Sequence, residues 1–402
     1  MTSTVADLYY DPYDMTIDRD PYPVWKRLRD EAPLYYNDKH DFYALSRYSD
    51  VETGLASWDT YSSSRSTLLE IIKAGFEMPP GAIINEDPPL HTKHRGLLRS
   101  VFTVRAIQAL EPRVREFCAR ALDPKVGTGG FDFIADLGAQ MPMHVIGELL
   151  GIPEPDRVAI RDSIDASLRL GENGEPLLGM HDIAAQQAQL FADYVEWRAA
   201  HPSDDLMTQL LQAEFEDDDG VQRRLTREEV LSSVNLLAAA GNETTTRLIG
   251  WTGRVLADHP DQRALLIDDP SLVGAAIEEV LRYEPPSPVQ SRYVTRDVEL
   301  HGQVVPAGSV MVLINGSANR DERVFADPDT FDIRRKQERH LSFGFHIPFC
   351  LGAALARLEG RIALEEVLKR FPTWEVDEDN AVRAHTSTVR GWERLPVRTD
   401  SR

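Results

Sequence analysis

HLSFGFHIPFCLGAALARL, residues 340–358, changes character at one point. An aromatic run carrying Gly344 and Pro348 ends at Cys350, and a helical pattern follows at once with Gly352 at its head. A cysteine at such a junction faces backbone N–H groups without intrahelical partners and the positive end of the helix dipole. Both favour thiolate over thiol. A thiolate placed there is a nucleophile, a redox thiol or a metal ligand, whereas a buried, inert thiol is the common fate of a free cysteine. Cys118, the other cysteine, sits in the amphipathic stretch EFCARAL, and the inert reading suits it.

Upstream lies a second irregularity. Residues 227–258 read as one helix of about 48 Å, long enough to cross a domain of this size. Thr226 and Glu229 form a capping box at its start, and Pro260 stops it. Its centre, VNLLAAAGNETTTRLIGW, is apolar nearly all round, as a buried core helix is. Yet Gly241, Asn242, Glu243 and Thr244 interrupt that centre. A mid-helix glycine costs about 1 kcal/mol against alanine, and buried polar groups cost more unless partnered. Local rules broken at the middle of a molecule mark function.

Helical patterns also cover 104–122, 182–199, 271–283 and 351–370. Residues 40–48 read as strand, and 298–314 hold two strand-like runs around Pro306, Ala307 and Gly308. The expected class is mainly α with a small β-rich side. With no Gly/Ser-rich linker and no repeat, residues 1–402 are expected to form one domain. The 42% apolar content supports a large core. The net charge of −21 argues against nucleic acid or an anionic membrane as main partner. Two distant cysteines make neither a disulfide framework nor a zinc site. The N-terminus MTSTVADLYYDPYDM lacks the marks of a signal peptide, and no run approaches ~18 apolar residues. A reduced, cytoplasmic chain is expected.

The run Phe343–Gly352 resembles the haem-binding loop of the cytochrome P-450 monooxygenases, F-G-x-G-x-[HR]-x-C-x-G. It matches at Phe343, Gly344, Cys350 and Gly352, and departs at His346 (usually Gly) and Pro348 (usually His or Arg). Four more segments follow the family's order. DPPLHTKHRGLLRSVFT, 87–103, resembles its C helix, and AAAGNETT, 238–245, its I helix. Glu279 to Arg282 looks like its E-x-x-R, and SANRDERVFADPDTFDIRR, 317–335, its meander.

The resemblance implies a single triangular P-450 fold and a b-type haem with Cys350 as the iron's thiolate ligand. Phe343, Gly344 and Gly352 would shape the loop, and His91, Arg95 and Arg292 would meet the haem propionates. Either His346 would substitute for the donor that Pro348 cannot supply or haem would be held by fewer contacts, and histidine tolerates the unusual backbone angle expected there. Glu243 and Thr244 would be the acid–alcohol pair that supplies protons for O–O cleavage. Gly241 would let the helix open a notch for O2. Glu279, Arg282 and Arg335 would form a structural ionic cluster.

The chain carries no flavin or nicotinamide fingerprint. Electrons would therefore come from a separate ferredoxin or flavodoxin with its reductase, docking near Lys93, His94, Arg99, Arg105, Arg357 and Arg361. The apolar stretch 65–86, read as a loop, would line the substrate pocket through Leu69, Ile72, Ile83 and Ile84, joined by Leu237, Ala240 and Val289. The implied activity is hydroxylation or epoxidation of a hydrophobic molecule of steroid, terpenoid, fatty-acid or polyketide class. The alternative is a haem-thiolate binding or sensing protein without turnover, favoured by the loop's departures.

Overall fold

The computed structural model describes residues 8–171, 180–217, 219–336, 338–386 and 388–400; residues 1–7, the start of the stretch MTSTVADLYYDPYDM, lie outside them. The helix Arg227–Asp258 is the axis of the molecule. Thr226 Oγ1 accepts from Glu229 N, the Glu229 carboxylate accepts from Thr226 N at 2.7 Å, and His259 ends the helix before Pro260. Helices Met141–Leu150, Met180–Ala200, Val273–Tyr283 and Ala353–Arg370 pack around it. The main apolar core lies between this long helix, Glu111–Leu122 and Ala353–Arg370. A second core, built on Met143, Ile146, Phe191 and Val234, fills the other flank.

The β-rich side is a five-stranded sheet. Leu34–Asn37 pairs antiparallel with Phe42–Leu45, which runs parallel to Val310–Leu313. That strand pairs antiparallel with Gln290–Val294, and Tyr61–Ser62 closes the far edge. Every residue of Val310–Leu313 is buried, as befits a central strand.

Three expectations change. The helix over 104–122 is two, Val104–Gln108 and Glu111–Leu122, because Pro112 has no N–H to donate and starts a helix better than it continues one. The 298–314 region has a further turn, with Val298–Leu300 and Gln303–Val305 joined at His301 and Gly302. The apolar stretch 65–86 is not all loop. Leu69–Ala74 is a helix, which explains its apolar character, and Leu69 and Ile72 pack with Trp25, Phe42 and Val312 against the sheet.

Candidate active site

Cys350 sits immediately before the helix Ala353–Arg370, held by a tight loop. Its N–H donates to Phe343 O at 2.7 Å, Gly344 N–H to Leu341 O at 2.9 Å and Phe349 N–H to His346 O at 3.3 Å. Gly344 has φ +73°, and a Cβ there would lie 2.9 Å from Pro348 O. His346 adopts the left-handed region at φ +60°. The backbone thus keeps a glycine-like angle where the sequence departs from the family pattern. The His346 side chain is exposed and makes no hydrogen bond among the described residues.

The Cys350 side chain is accessible, yet surrounding protein raises its thiol pKa. Burial is the largest influence, opposed by the Gly352 N–H and by the charges of Arg95 and Arg357. The helix terminus alone therefore does not make a thiolate here. A cation bound to sulfur would have to displace the proton. Cys118 is buried, and desolvation pushes its thiol up to about 12, which makes it inert. Phe343 is buried beside the loop, with the Arg357 guanidinium 4.5 Å from its ring centroid.

A set of cations gathers nearby. Arg95, on the helix Leu90–Leu98, is close enough to Cys350 for their charges to interact, and burial lowers its pKa. One turn back, His91 is buried with Nδ1 lacking any partner; burial and then Arg95's charge lower its pKa. Arg292 is fully buried, yet its guanidinium reaches only Ser291 O at 2.8 Å and Gln290 Oε1 at 3.1 Å. Among the described residues no carboxylate pairs with it, and burial, partly offset by Asp87, lowers its pKa to about 10. Buried cations without counter-ions and an orphaned imidazole nitrogen beside an accessible thiol suit a dianionic haem with an axial sulfur.

The long helix presents two different faces here. Thr244 is half-buried, and its Oγ1 donates to Ala240 O at 2.9 Å, the bond to its own helix that a core threonine makes. Glu243 points elsewhere and is buried, accepting from Arg247 Nη2 at 2.7 Å, while its neighbour Asn242 donates to Asp165 Oδ1 at 3.3 Å. The notch expected at Gly241 is not formed: the helix is continuous, and a Cβ at Gly241 would lie 3.0 Å from Ile146 Cγ1. Gly241 is a packing glycine in this structure. Beneath this helix, fully buried Glu359 is pushed up to about 8 by burial, with Thr245 acting against it.

Away from the cysteine, Glu279 accepts from Arg282 Nη2 at 2.7 Å and Arg335 Nε at 3.1 Å, so the expected ionic cluster is assembled. The expected basic patch is thinner than its sequence. His94 is buried against Glu86 at 2.9 Å, Arg357 pairs with Glu278 and Arg361 with Glu111, while Arg99 and Arg105 stay exposed. The pocket residues divide. Ile83 and Leu237 share one core, Val289 packs beside Leu69 and Ile72, and Ile84 and Ala240 are exposed. Sequence reasoning missed Arg247, Asp165 and Glu359. Only Arg247 carried a signal, its i+4 spacing from Glu243.

The family model for cytochrome P450 matches residues 180–391. The chain is 40% identical to cytochrome P450 123 of Mycobacterium tuberculosis, covering all of both chains. The chain belongs to the cytochrome P450 family. It is also 34% identical to 6-deoxyerythronolide B hydroxylase of Saccharopolyspora erythraea, over 99% of this chain and all of that one. The crystal structure of CYP109E1 from Bacillus megaterium in complex with testosterone superposes with a TM-score of 0.84 at 30% identity, covering 96% of this chain and 99% of that one. This P450 is thus a haem b monooxygenase that uses O2, a hydrophobic substrate and a redox partner. Among the described residues no helix is long and apolar enough to cross a membrane.

Proposed function

We propose that this P450 hydroxylates or epoxidises a bulky hydrophobic molecule, with Cys350 as the sulfur ligand and His91, Arg95 and Arg292 holding the propionates. The observation that carries this reading is the buried Arg292, which has no carboxylate partner among the described residues and lies within reach of Asp87's charge. His91, with Nδ1 orphaned, is near the same Asp87, and Arg95 joins it to the accessible Cys350 thiol. Bound haem supplies the oxygen activation and the redox chemistry. The chain's own residues supply position and protons. Gly344 and the left-handed His346 turn the loop so that Cys350 presents its sulfur, and Phe343 shields it from water. Thr244 keeps lone pairs free to accept a hydrogen bond on the accessible face, and Glu243 holds charge one residue away.

Substrate size is supported by the relatives' names, one a 6-deoxyerythronolide B hydroxylase and one bound to testosterone. The exposed Ile84 and Ala240 form the apolar surround, backed by Leu69, Ile72, Ile83, Leu237 and Val289 in the cores behind them, and a cytoplasmic ferredoxin or flavodoxin delivers the electrons near Arg99 and Arg105. The test is spectroscopic. Reduced, haem-loaded protein under carbon monoxide gives the red-displaced Soret band of thiolate ligation, and a sterol or macrolactone shifts the ferric spin state. A carbon monoxide band at the position of neutral ligation sinks the Cys350 assignment.

A further inference from the structure

The hairpin of Val382–Arg383 and Trp392–Arg394 sets Arg383 opposite Trp392. Residues paired across two strands touch, and the Arg383 guanidinium carbon lies 4.7 Å from the Trp392 ring centroid. It also lies 4.8 Å from the ring of Trp251, near the end of the long helix. The two indoles meet at 67°, so the cation sits in an aromatic corner. Ring faces attract a cation without neutralising it.

This corner opens on a cleft of about 1080 Å³, bordered by the helices Met15–Arg19 and Tyr22–Glu31 and by the end of Val273–Tyr283. That is room for a small organic molecule rather than a bare ion. The cleft gathers arginines on a chain of net charge −21, and most of them are spent. Arg390 donates to Glu284 and to Arg19 O, the latter at 3.1 Å. Arg320 donates to Tyr283 O at 2.8 Å and pairs with Asp329 at 3.3 Å. Arg254 pairs with Asp258 at 2.8 Å. Arg383 differs. Among the described residues its guanidinium spends one of its five N–H donors, Nη2 to Asp18 O at 3.3 Å. The nearest carboxylate oxygen, Asp18 Oδ2, stays 3.9 Å away. The side chain is 15% exposed, so its spare donors are reached from the cleft it lines. Burial, and then the charge of Arg390, lower its pKa to about 10, so it is still a cation at neutral pH and is short of anions.

We propose that this cleft is a second ligand site, in which Arg383 takes the carboxylate of a small organic monoanion through two parallel N–H···O bonds while the ligand's apolar body rests on Met15, Ala381 and Val382. A planar fork with spare donors matches the two oxygens of a carboxylate. One unspent cation suits one negative charge, and Glu284 and Asp329 in the same cleft disfavour a dianion. Val382 is 41% exposed, an uncovered apolar side chain next to the charge. None of Cys350, His91, Arg95 and Arg292 lines the cleft, and Trp251 stands about 10 Å along the helix axis from Thr244. The site is therefore separate from the cysteine site and independent of the roles assigned there.

Equilibrium dialysis of cinnamate against haem-loaded protein at fixed ionic strength counts the ligand directly, and the ferric Soret band is recorded in the same samples. The expected result is one bound equivalent with the Soret band unmoved. Cinnamamide, the neutral isostere, and inorganic phosphate should each bind at least about tenfold more weakly, since each lacks the charge or the shape that the fork reads. Arg383→Met, which fills the same corner without charge or donors, should weaken cinnamate roughly 10- to 150-fold. Arg383→Lys, which keeps the charge and loses the fork, should weaken it about severalfold. Absence of saturable binding to the wild type overturns the site. Equal binding of cinnamamide overturns anion recognition, and equal binding of phosphate overturns the organic carboxylate. Cinnamate binding that is unchanged in both variants, or that a Soret shift tracks, lies elsewhere and also overturns the proposal. Dialysis needs no turnover, so its outcome is read apart from that of the monooxygenase assignments.

Discussion

Replacing Arg292 by methionine separates two effects of opposite sign. The guanidinium is fully buried, and burial lowers its pKa from the ordinary arginine value to about 10. At about 1.36 kcal/mol per pKa unit, this corresponds to about 3 kcal/mol. A cation with a depressed folded pKa destabilises the fold at every pH below about 10, and the penalty fades only as pH climbs from there toward the ordinary arginine value. At neutral pH the Arg292→Met variant is relieved of that penalty, less the bonds to Ser291 O and Gln290 Oε1, about 1 kcal/mol each. The net gain for haem-free protein is about 1 kcal/mol. With haem bound the sign reverses, because a charge-assisted bond to a propionate, worth about 1.5–3 kcal/mol, is lost. Haem should then dissociate roughly 10- to 150-fold faster. Urea unfolding of the haem-free protein measures the first effect, and haem transfer to excess apoglobin measures the second. A variant that is less stable without haem yet loses haem at the wild-type rate would refute the assignment of Arg292 to a propionate.

Other perturbations probe separate parts of the site. Thr244→Ala should leave haem bound and raise peroxide per electron consumed about tenfold, since general acid–base help is worth about 10²–10⁴ and part survives through water; unchanged coupling removes Thr244 from proton supply. Gly344→Ala places a Cβ 2.9 Å from Pro348 O at φ +73°. A cost of about 1–3 kcal/mol should fall on the cysteine loop, seen as a shift of the carbon monoxide band away from the thiolate position. Glu279→Gln leaves Arg282 and Arg335 facing each other around a neutral amide. The Arg282 contacts to Asn319 O and Pro328 O soften the loss, but about 3–5 kcal/mol of stability should go, read as a fall in urea midpoint. A change under about 1 kcal/mol would mean the cluster is not held by charge.

Local rules made much of the molecule readable. The capping box at Thr226, the stop at Pro260 and the glycine-bearing turn before Cys350 are short-range events, and each stands where its residues predict it. The helix break near Pro112 and the helix inside 65–86 were harder to read. The first follows from a missing N–H inside an otherwise helical pattern, and the second depends on a neighbouring surface to bury an apolar face, which Trp25, Phe42 and Val312 provide for Leu69 and Ile72.

The chain alone settled which residue types stand at which spacing: a cysteine before a helix, an acid and a threonine inside a core helix, and a family order joining them. It also settled the mainly helical class, since periodicity is a property of consecutive residues. Only the tertiary structure decided where charge goes without a partner. Arg292 and His91 meet no carboxylate among the described residues, whereas Arg357, Arg361 and His94 meet Glu278, Glu111 and Glu86. It alone brought Asp165 to Asn242 from another helix. The physical reason is that desolvation and counter-ion distance are set by segments far apart in the chain, and no local pattern encodes them.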